Sequence, residues 1–222
     1  MFGNEIERNL QQYQVLLSNG KDAGNLKKGD RKKLEIIEAA IDCLATEGIE
    51  STTFEAIAKR IETRRAHVAY HFKDKHMIFE AAINYILATY EHTLQEFIQK
   101  AESKNTKSSN QNIIEEYVKG AFHWSKKNPQ HVSVFLLFYY LTTFQKNYNE
   151  LNSKIRSQGQ ERILYLLSMK MEIDKPKREL KEIASIIQNI LSAKMVELFT
   201  TNYNSTKKSQ EETISVVRRL LH

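Results

Sequence analysis

Between residues 30 and 83, apolar side chains recur at helical spacing in runs of very unequal length, and this inequality narrows the fold more than any other feature. The first run is long: Ile37, Ala40, Ile41 and Leu44 form one stripe that ends at Gly48, a residue suited to the left-handed conformation that stops helices. The next two are short. In STTFEAIAKRI, Thr52 and Glu55 have capping-box spacing and open a second helix, and a turn over residues 61–63 leads to a third over about 64–71. Asp74 then caps a much longer fourth helix carrying Ile78, Phe79, Ala82, Ile83, Ile86, Tyr90, Leu94 and Phe97. Two short helices joined by a turn of a few residues, braced by a first helix, are the outline of a helix-turn-helix, which projects one short helix far enough to enter a major groove.

The rest of the chain reads as all-α. Two prolines and seven glycines in 222 residues are too few to punctuate strands and tight turns. Asn112 and Glu115 can start a helix that runs to the break at Asn128 and Pro129. VSVFLLFYYLTTF is apolar on every side yet too short to span a bilayer, so it is expected to be buried within the protein. A helix over about 149–171 closes at Asp174 and Pro176, and Leu180, Ile183, Ala184, Ile187, Ile190, Leu191, Met195 and Leu198 stripe another. Ser209 and Glu212 have capping-box spacing before a last helix with Ile214, Val217 and Leu221. At the amino terminus Ile6, Leu10, Tyr13 and Leu17, with Asn4 as cap, outline a short amphipathic helix, and SNGKDAGNLKKGD outlines a linker. The expected organisation is an extension over 1–29, a helix-turn-helix domain over 30–76 and a larger helical domain over 77–222.

Charge tests the DNA-reading outline. The formal net charge is +6, and its placement matters more than its total. From Lys59 to Lys75 the bases Lys59, Arg60, Arg64, Arg65, Lys73 and Lys75 face only Glu62 and Asp74, and Lys27, Lys28, Arg31, Lys32 and Lys33 form a second cluster. Such concentration suits phosphate neutralisation. His67 and His71 stand one turn apart, as zinc ligands would, but His-Val-Ala-Tyr-His lacks the glutamate of a His-Glu-x-x-His hydrolase. No glycine-rich phosphate loop or serine nucleophile motif is present, so neither enzyme, metal nor cofactor is expected. The start MFGNEIERN lacks an apolar signal segment, no run approaches a membrane span, and the single cysteine suits a reducing cytoplasm.

IIEAAIDCLATEGIESTTFEAIAKRIETRRAHVAYHFKDKHMIFEAAI, from Ile36 to Ile83, resembles the amino-terminal domain of the tetracycline-repressor (TetR) family of bacterial transcription regulators. The resemblance rests on the helix ending at Gly48, the Thr pair, Ile57-Ala58, and His71-Phe72 followed by Lys75. It implies that Thr52 or Thr53 meets a phosphate, that Arg64, Arg65, Ala66 and His67 face the groove, that Tyr70 and His71 approach the backbone, and that Lys75 meets a phosphate. Val68 and Phe72 would be core. Arg64 and Arg65 are both candidates for pairing with guanine. The chain departs from the family pattern at Glu62 (often Gly), at Ala69 (usually Tyr) and at Arg64 (usually a serine cap, a role open to Thr63).

Beyond this segment the resemblance is one of architecture. It implies a homodimer formed through the last two long helices, a palindromic double-stranded operator, nucleoid association, and release of the repressor by a small apolar or aromatic effector. Tyr90, Phe122, His123, Trp124, Phe138, Tyr139, Phe144 and Tyr165 are candidate effector contacts, and plain core packing is the other reading of that cluster. The competing function is a constitutive DNA-binding or protein-interaction module with a filled core.

Overall fold

The computed structural model describes residues 28–103, 112–200 and 206–221, and among these the regular structure is helical, with no strand. The expected amino-terminal amphipathic helix and most of its linker, and nearly all of the connection after the fourth helix, lie outside the described residues. In chain order the helices are α1 (Lys28–Ser51), α2 (Phe54–Arg60), α3 (Arg65–His71), α4 (Lys75–Glu102), α5 (Ile113–Lys127), α6 (Pro129–Thr142), α7 (Lys146–Tyr165), α8 (Lys177–Thr200) and α9 (Thr206–Leu221). A π-helical turn, Leu166–Lys170, extends α7.

Two compact units divide these helices. The first gathers the chain up to His92 together with Gln130–Phe138, and the second holds Thr93–Pro129 and the residues from Tyr139 onward. Both α4 and α6 therefore contribute turns to each unit.

In the first unit α1 buries the face made by Ile36, Ile37, Ala40, Ile41, Cys43 and Leu44. Gly48 breaks the helical path with φ 78° and ψ 178°, a conformation for which the absence of a Cβ is needed. Ile57 and Ala58 of α2, Val68 of α3, and Ile78, Phe79, Ala82, Ile83 and Ile86 of α4 complete the core. Asp74 caps α4 as expected, its Oδ1 accepting from the Met77 amide at 2.9 Å. The cap of α2 falls one residue later than the capping-box spacing suggested. Thr53 accepts from the Ala56 amide at 3.1 Å, while Thr52 is buried and donates to the Gly48 carbonyl at 2.8 Å. The box rule could not say which of two adjacent threonines turns its hydroxyl toward the helix.

The second unit is a bundle in which α7 packs on α8, and α9 on both α5 and α8. Gly120 of α5 permits a close approach to α4, since a Cβ there would lie 3.3 Å from Leu94 and Phe97. Asn112 sits at the N-cap of α5 but makes no side-chain cap bond. Glu115, expected to complete that box, instead accepts both Nε and Nη2 of Arg218 at 2.5 and 2.8 Å, joining α5 to α9. Ser209 does not open α9 either: the helix begins at Thr206, and Ser209 is buried within its first turns. The expected all-round burial of α6 holds for Val132, Val134, Phe138 and Leu141, whereas Tyr140 is 64% exposed, stacked edge-on with Phe144. No helix among the described residues is long and apolar enough to cross a membrane.

Folding strongly shifts the titration of His131. In the first unit its Nδ1 lies 3.4 Å from the Thr89 hydroxyl and its ring 6.0 Å from that of Tyr85, whose own hydroxyl donates to Glu38 at 2.8 Å. Burial lowers its pKa to about 4 against a smaller opposing pull from Asp42. Between about pH 6.5 and 4 the unfolded chain therefore binds a proton that the folded one refuses, so stability falls as pH drops through that window. The full loss is at most roughly 3 kcal/mol. Urea unfolding from pH 7.5 to 4.5 is expected to show this fall, and His131→Gln is expected to flatten it; equal pH dependence in both proteins would contradict the assignment.

Candidate nucleic-acid interface

The α2–turn–α3 segment gains its shape from three local devices. Thr53 starts α2, and the Glu62 and Thr63 amides donate back to the Lys59 and Ala58 carbonyls at 3.3 and 2.9 Å. Between the helices the chain reverses through Glu62, whose φ of 49° lies in the left-handed region. Glycine enters that region freely, and a side chain there costs about 1–2 kcal/mol. The position at which the sequence departs from the family's glycine is thus the one at which glycine's freedom is used.

Seven residues of α3 then present one buried and one open face. Val68 is fully buried, and Phe72, which ends the helix, is 2% exposed. Arg64, Arg65, Ala66, His67, Ala69 and Tyr70 all face solvent, Tyr70 with 86% of its surface. Arg64 takes the N-cap position in extended conformation without a side-chain cap bond. Thr63 does not replace it as cap, since its hydroxyl pairs with Nδ1 of His67 at 2.8 Å. Tyr70 meets His71 edge-on with 5.2 Å between ring centroids.

The bases sort into tied and free. Arg60 bonds to Glu47 at 2.5 Å and Thr46 at 2.9 Å, and so braces α2 against the end of α1. Arg65 pairs through Nε with Glu55 at 2.5 Å, its guanidinium 5.8 Å from the Phe54 ring centre. Lys32 pairs with Glu35 at 2.7 Å, and Lys75 stands 3.7 Å from Glu50. Lys33 lies 5.7 Å over the Phe72 ring, linking the start of α1 to the end of α3. Lys28, Lys59, Arg64 and Lys73 are exposed and have no side-chain partner among the described residues. Burial, and then the charges of Lys33, His67 and Lys32, hold His71 below the usual histidine range, so at neutral pH it offers an uncharged imidazole.

Of the sequence-derived contacts, Thr53, Arg64, Arg65, Ala66, His67, Tyr70, His71 and Lys75 have side chains at least partly open to solvent, whereas Thr52 is buried with its hydroxyl committed to Gly48. Among the described residues no group of three His, Cys, Asp or Glu side chains comes together as a metal site would require. The aromatic effector candidates separate. Tyr90 and Phe138 belong to the first unit, and Phe122, His123, Trp124, Tyr139, Phe144 and Tyr165 to the second. Phe122, Trp124 and Phe138 are core, His123 is exposed with its ring 5.2 Å from that of Phe97, and Phe144 and Tyr165 are 60% and 50% exposed. The space beside Phe122, bounded by Ala121, Leu191 and Met195, has no room for a water molecule. Sequence reasoning missed a cleft of about 670 Å³ in the second unit, lined by Ile114, Met171, Ile173 and Leu221 with Glu115, Glu172, Asp174, Lys175 and Arg218. Its walls come from segments far apart in the chain, so no local pattern announces it.

Residues 36–82 match the family of bacterial regulatory proteins described as the tetR family. No curated protein matches the chain. Among solved structures, a transcriptional regulator from Pseudomonas aeruginosa PAO1 has a TM-score of 0.68 at 13% identity, with 89% of this chain and 93% of that one covered. A TetR-like transcriptional regulator from Rhodococcus sp. RHA1 has a TM-score of 0.63 at 16% identity, covering 88% and 97%. A transcriptional regulator from Saccharomonospora viridis, in complex with choline, has a TM-score of 0.65 at 13% identity, covering 85% and 96%. At these identities the structural likeness speaks for the fold.

The left-handed turn yields a direct test. Glu62→Gly relieves the backbone strain and is expected to raise stability by about 0.5–1 kcal/mol, net of the extra freedom glycine has when unfolded. Glu62→Ala keeps a Cβ at positive φ and is expected to give no such gain. Urea midpoints measured at constant m-value compare the two, and equal midpoints would show that the turn is unstrained.

Proposed function

We propose that this chain, which belongs to the tetR family of bacterial regulatory proteins, is a homodimeric repressor that holds a palindromic operator in double-stranded DNA and releases it when a small effector binds. One observation carries the reading: α3 is pinned to the core by Val68 and Phe72 and turns Arg64, Arg65, Ala66, His67 and Tyr70 outward, in a segment whose Lys59 and Lys73 have no acidic partner among the described residues. A short rigid helix with that polarity suits the major groove, and Lys28, Lys59 and Lys73 suit the phosphates beside it. Arg64, Arg65, Ala66 and His67 face the groove, while Thr53, Tyr70, His71 and Lys75 approach the backbone. Thr52 takes no part, because its hydroxyl is already spent on Gly48.

Two copies joined through α8 and α9 would place their α3 helices about one duplex turn apart. Exposed Ile186 and Val196 on α8 support a partner on that helix. Regulation rests on α4 and α6, which each supply turns to both units. A ligand that binds better when these helices leave the DNA-competent arrangement shifts the population away from the operator, and one without that preference shifts nothing. The Saccharomonospora relative holds choline, and Tyr90, Phe122, His123, Trp124, Phe138, Tyr139, Phe144 and Tyr165 supply the aromatic candidates here for an apolar or aromatic effector.

A footprint of the purified protein on the DNA upstream of its own coding region is expected to show a protected palindrome. Its affinity is expected to fall linearly on a log–log salt plot, by roughly 0.9 per neutralised phosphate. Absence of sequence-specific protection there and across a genomic fragment library would refute the reading. A metabolite library scanned for thermal stabilisation and operator release tests the effector, and silence in both would leave a constitutive DNA-binding module.

A further inference from the structure

Arg64 and Arg65 are adjacent, equally charged and both exposed, but the structure treats them differently. Arg64 has no side-chain partner among the described residues and leaves an extended backbone at the N-cap position. Arg65 is held on two sides: Glu55 takes its Nε at 2.5 Å, and the Phe54 ring lies 5.8 Å from its guanidinium carbon. Both holders come from the first turn of α2, which Thr53 caps. The bond through Nε occupies the edge of the fork nearest the chain, which leaves the two terminal nitrogens, the pair that can meet O6 and N7 of guanine end-on.

Glu55 lies in the first turn of α2, where a carboxylate suits the helix N-terminus, but toward DNA it is badly placed. An exposed carboxylate on a face that approaches phosphates repels every DNA sequence alike, and an exposed ion pair by itself adds little to stability. The ion pair gives Glu55 a second use, because a guanidinium already fixed in plane and direction gives up less freedom on binding than one on a mobile stem. We propose that Glu55 and Phe54 are positioning residues that preset Arg65 to read one guanine in each half-site, and that the unrestrained Arg64 serves a phosphate. This rests on the DNA-reading role of α3 proposed above and divides its labour.

The test uses the full-length protein and a site selected by the wild type from random double-stranded DNA. Affinities are then measured for that site, for each single-base-pair variant of it, and for random-sequence DNA across a salt series. Arg65→Ala is expected to lower discrimination at one G·C pair per half-site by about five- to a hundredfold and to leave the other positions unchanged. Glu55→Ala is expected to relax the same pair while binding random DNA more tightly, two effects of opposite sign that simple loss of structure would not produce. Glu55→Gln keeps an acceptor oxygen and is expected to fall between Glu55→Ala and the wild type. Arg64→Ala is expected to reduce the salt slope by about one without altering base preference. Urea midpoints of all four variants, each an exposed substitution, show whether the fold is intact.

An unchanged base profile in folded Arg65→Ala would overturn the proposal, as would a Glu55→Ala that weakens specific and random DNA equally, or an Arg64→Ala that alone relaxes a G·C pair. Each of these leaves the regulator reading standing. A wild type that selects no site at all would overturn both.

Discussion

Burial of two side chains, Val68 and Phe72, is what the open face of α3 depends on. A helix of seven residues does not persist alone in water, because nucleation is unfavourable and few bonds follow it. Fully burying a side chain such as Val or Phe contributes roughly 1.5–3 kcal/mol, so the two together are a large part of what holds the helix on the core. Their packing fixes the rotation of α3 and so decides which of its residues look outward. The Lys33 ammonium over the Phe72 ring ties the basic start of α1 to the same anchor.

Charge follows that geometry. Arg60 and Lys32 are taken up by Glu47 and Glu35 and work within the fold, whereas Lys28, Lys59, Arg64 and Lys73 have no side-chain partner among the described residues. A count of bases along the sequence gives all of them equal weight. Only the positions of the acids separate those that brace a helix from those that can meet a polyanion, and Arg65, paired yet exposed, falls between the two groups.

What could be read in advance was whatever short-range chemistry controls. Asp74 caps α4 because an acceptor three residues ahead of an unpaired amide is a local arrangement, and Gly48 breaks α1 because no other residue enters its backbone region as easily. Local rules failed where two readings were equally local, or where a distant partner outbid the nearby one. Thr53 caps α2 in place of Thr52. Glu115 leaves its expected box for Arg218, 103 residues away. Ser209 has the right spacing for a cap, but Thr206 already begins the helix, which buries Ser209. The aromatic cluster was visible as a set and not as a site, since composition does not say that Phe122 and Trp124 turn inward while Phe144 and Tyr165 stay open.

The sequence by itself determined the helical class and the long–short–short order of the first helices, because apolar period, caps and breakers act over a few residues. It also marked Glu62 as the odd residue of the turn. The tertiary structure decided that Glu62 sits at positive φ, that α4 and α6 are each shared by two compact units, and that of two neighbouring arginines one is held and one is free. Those outcomes depend on which surfaces meet in three dimensions, and spacing along the chain does not encode them.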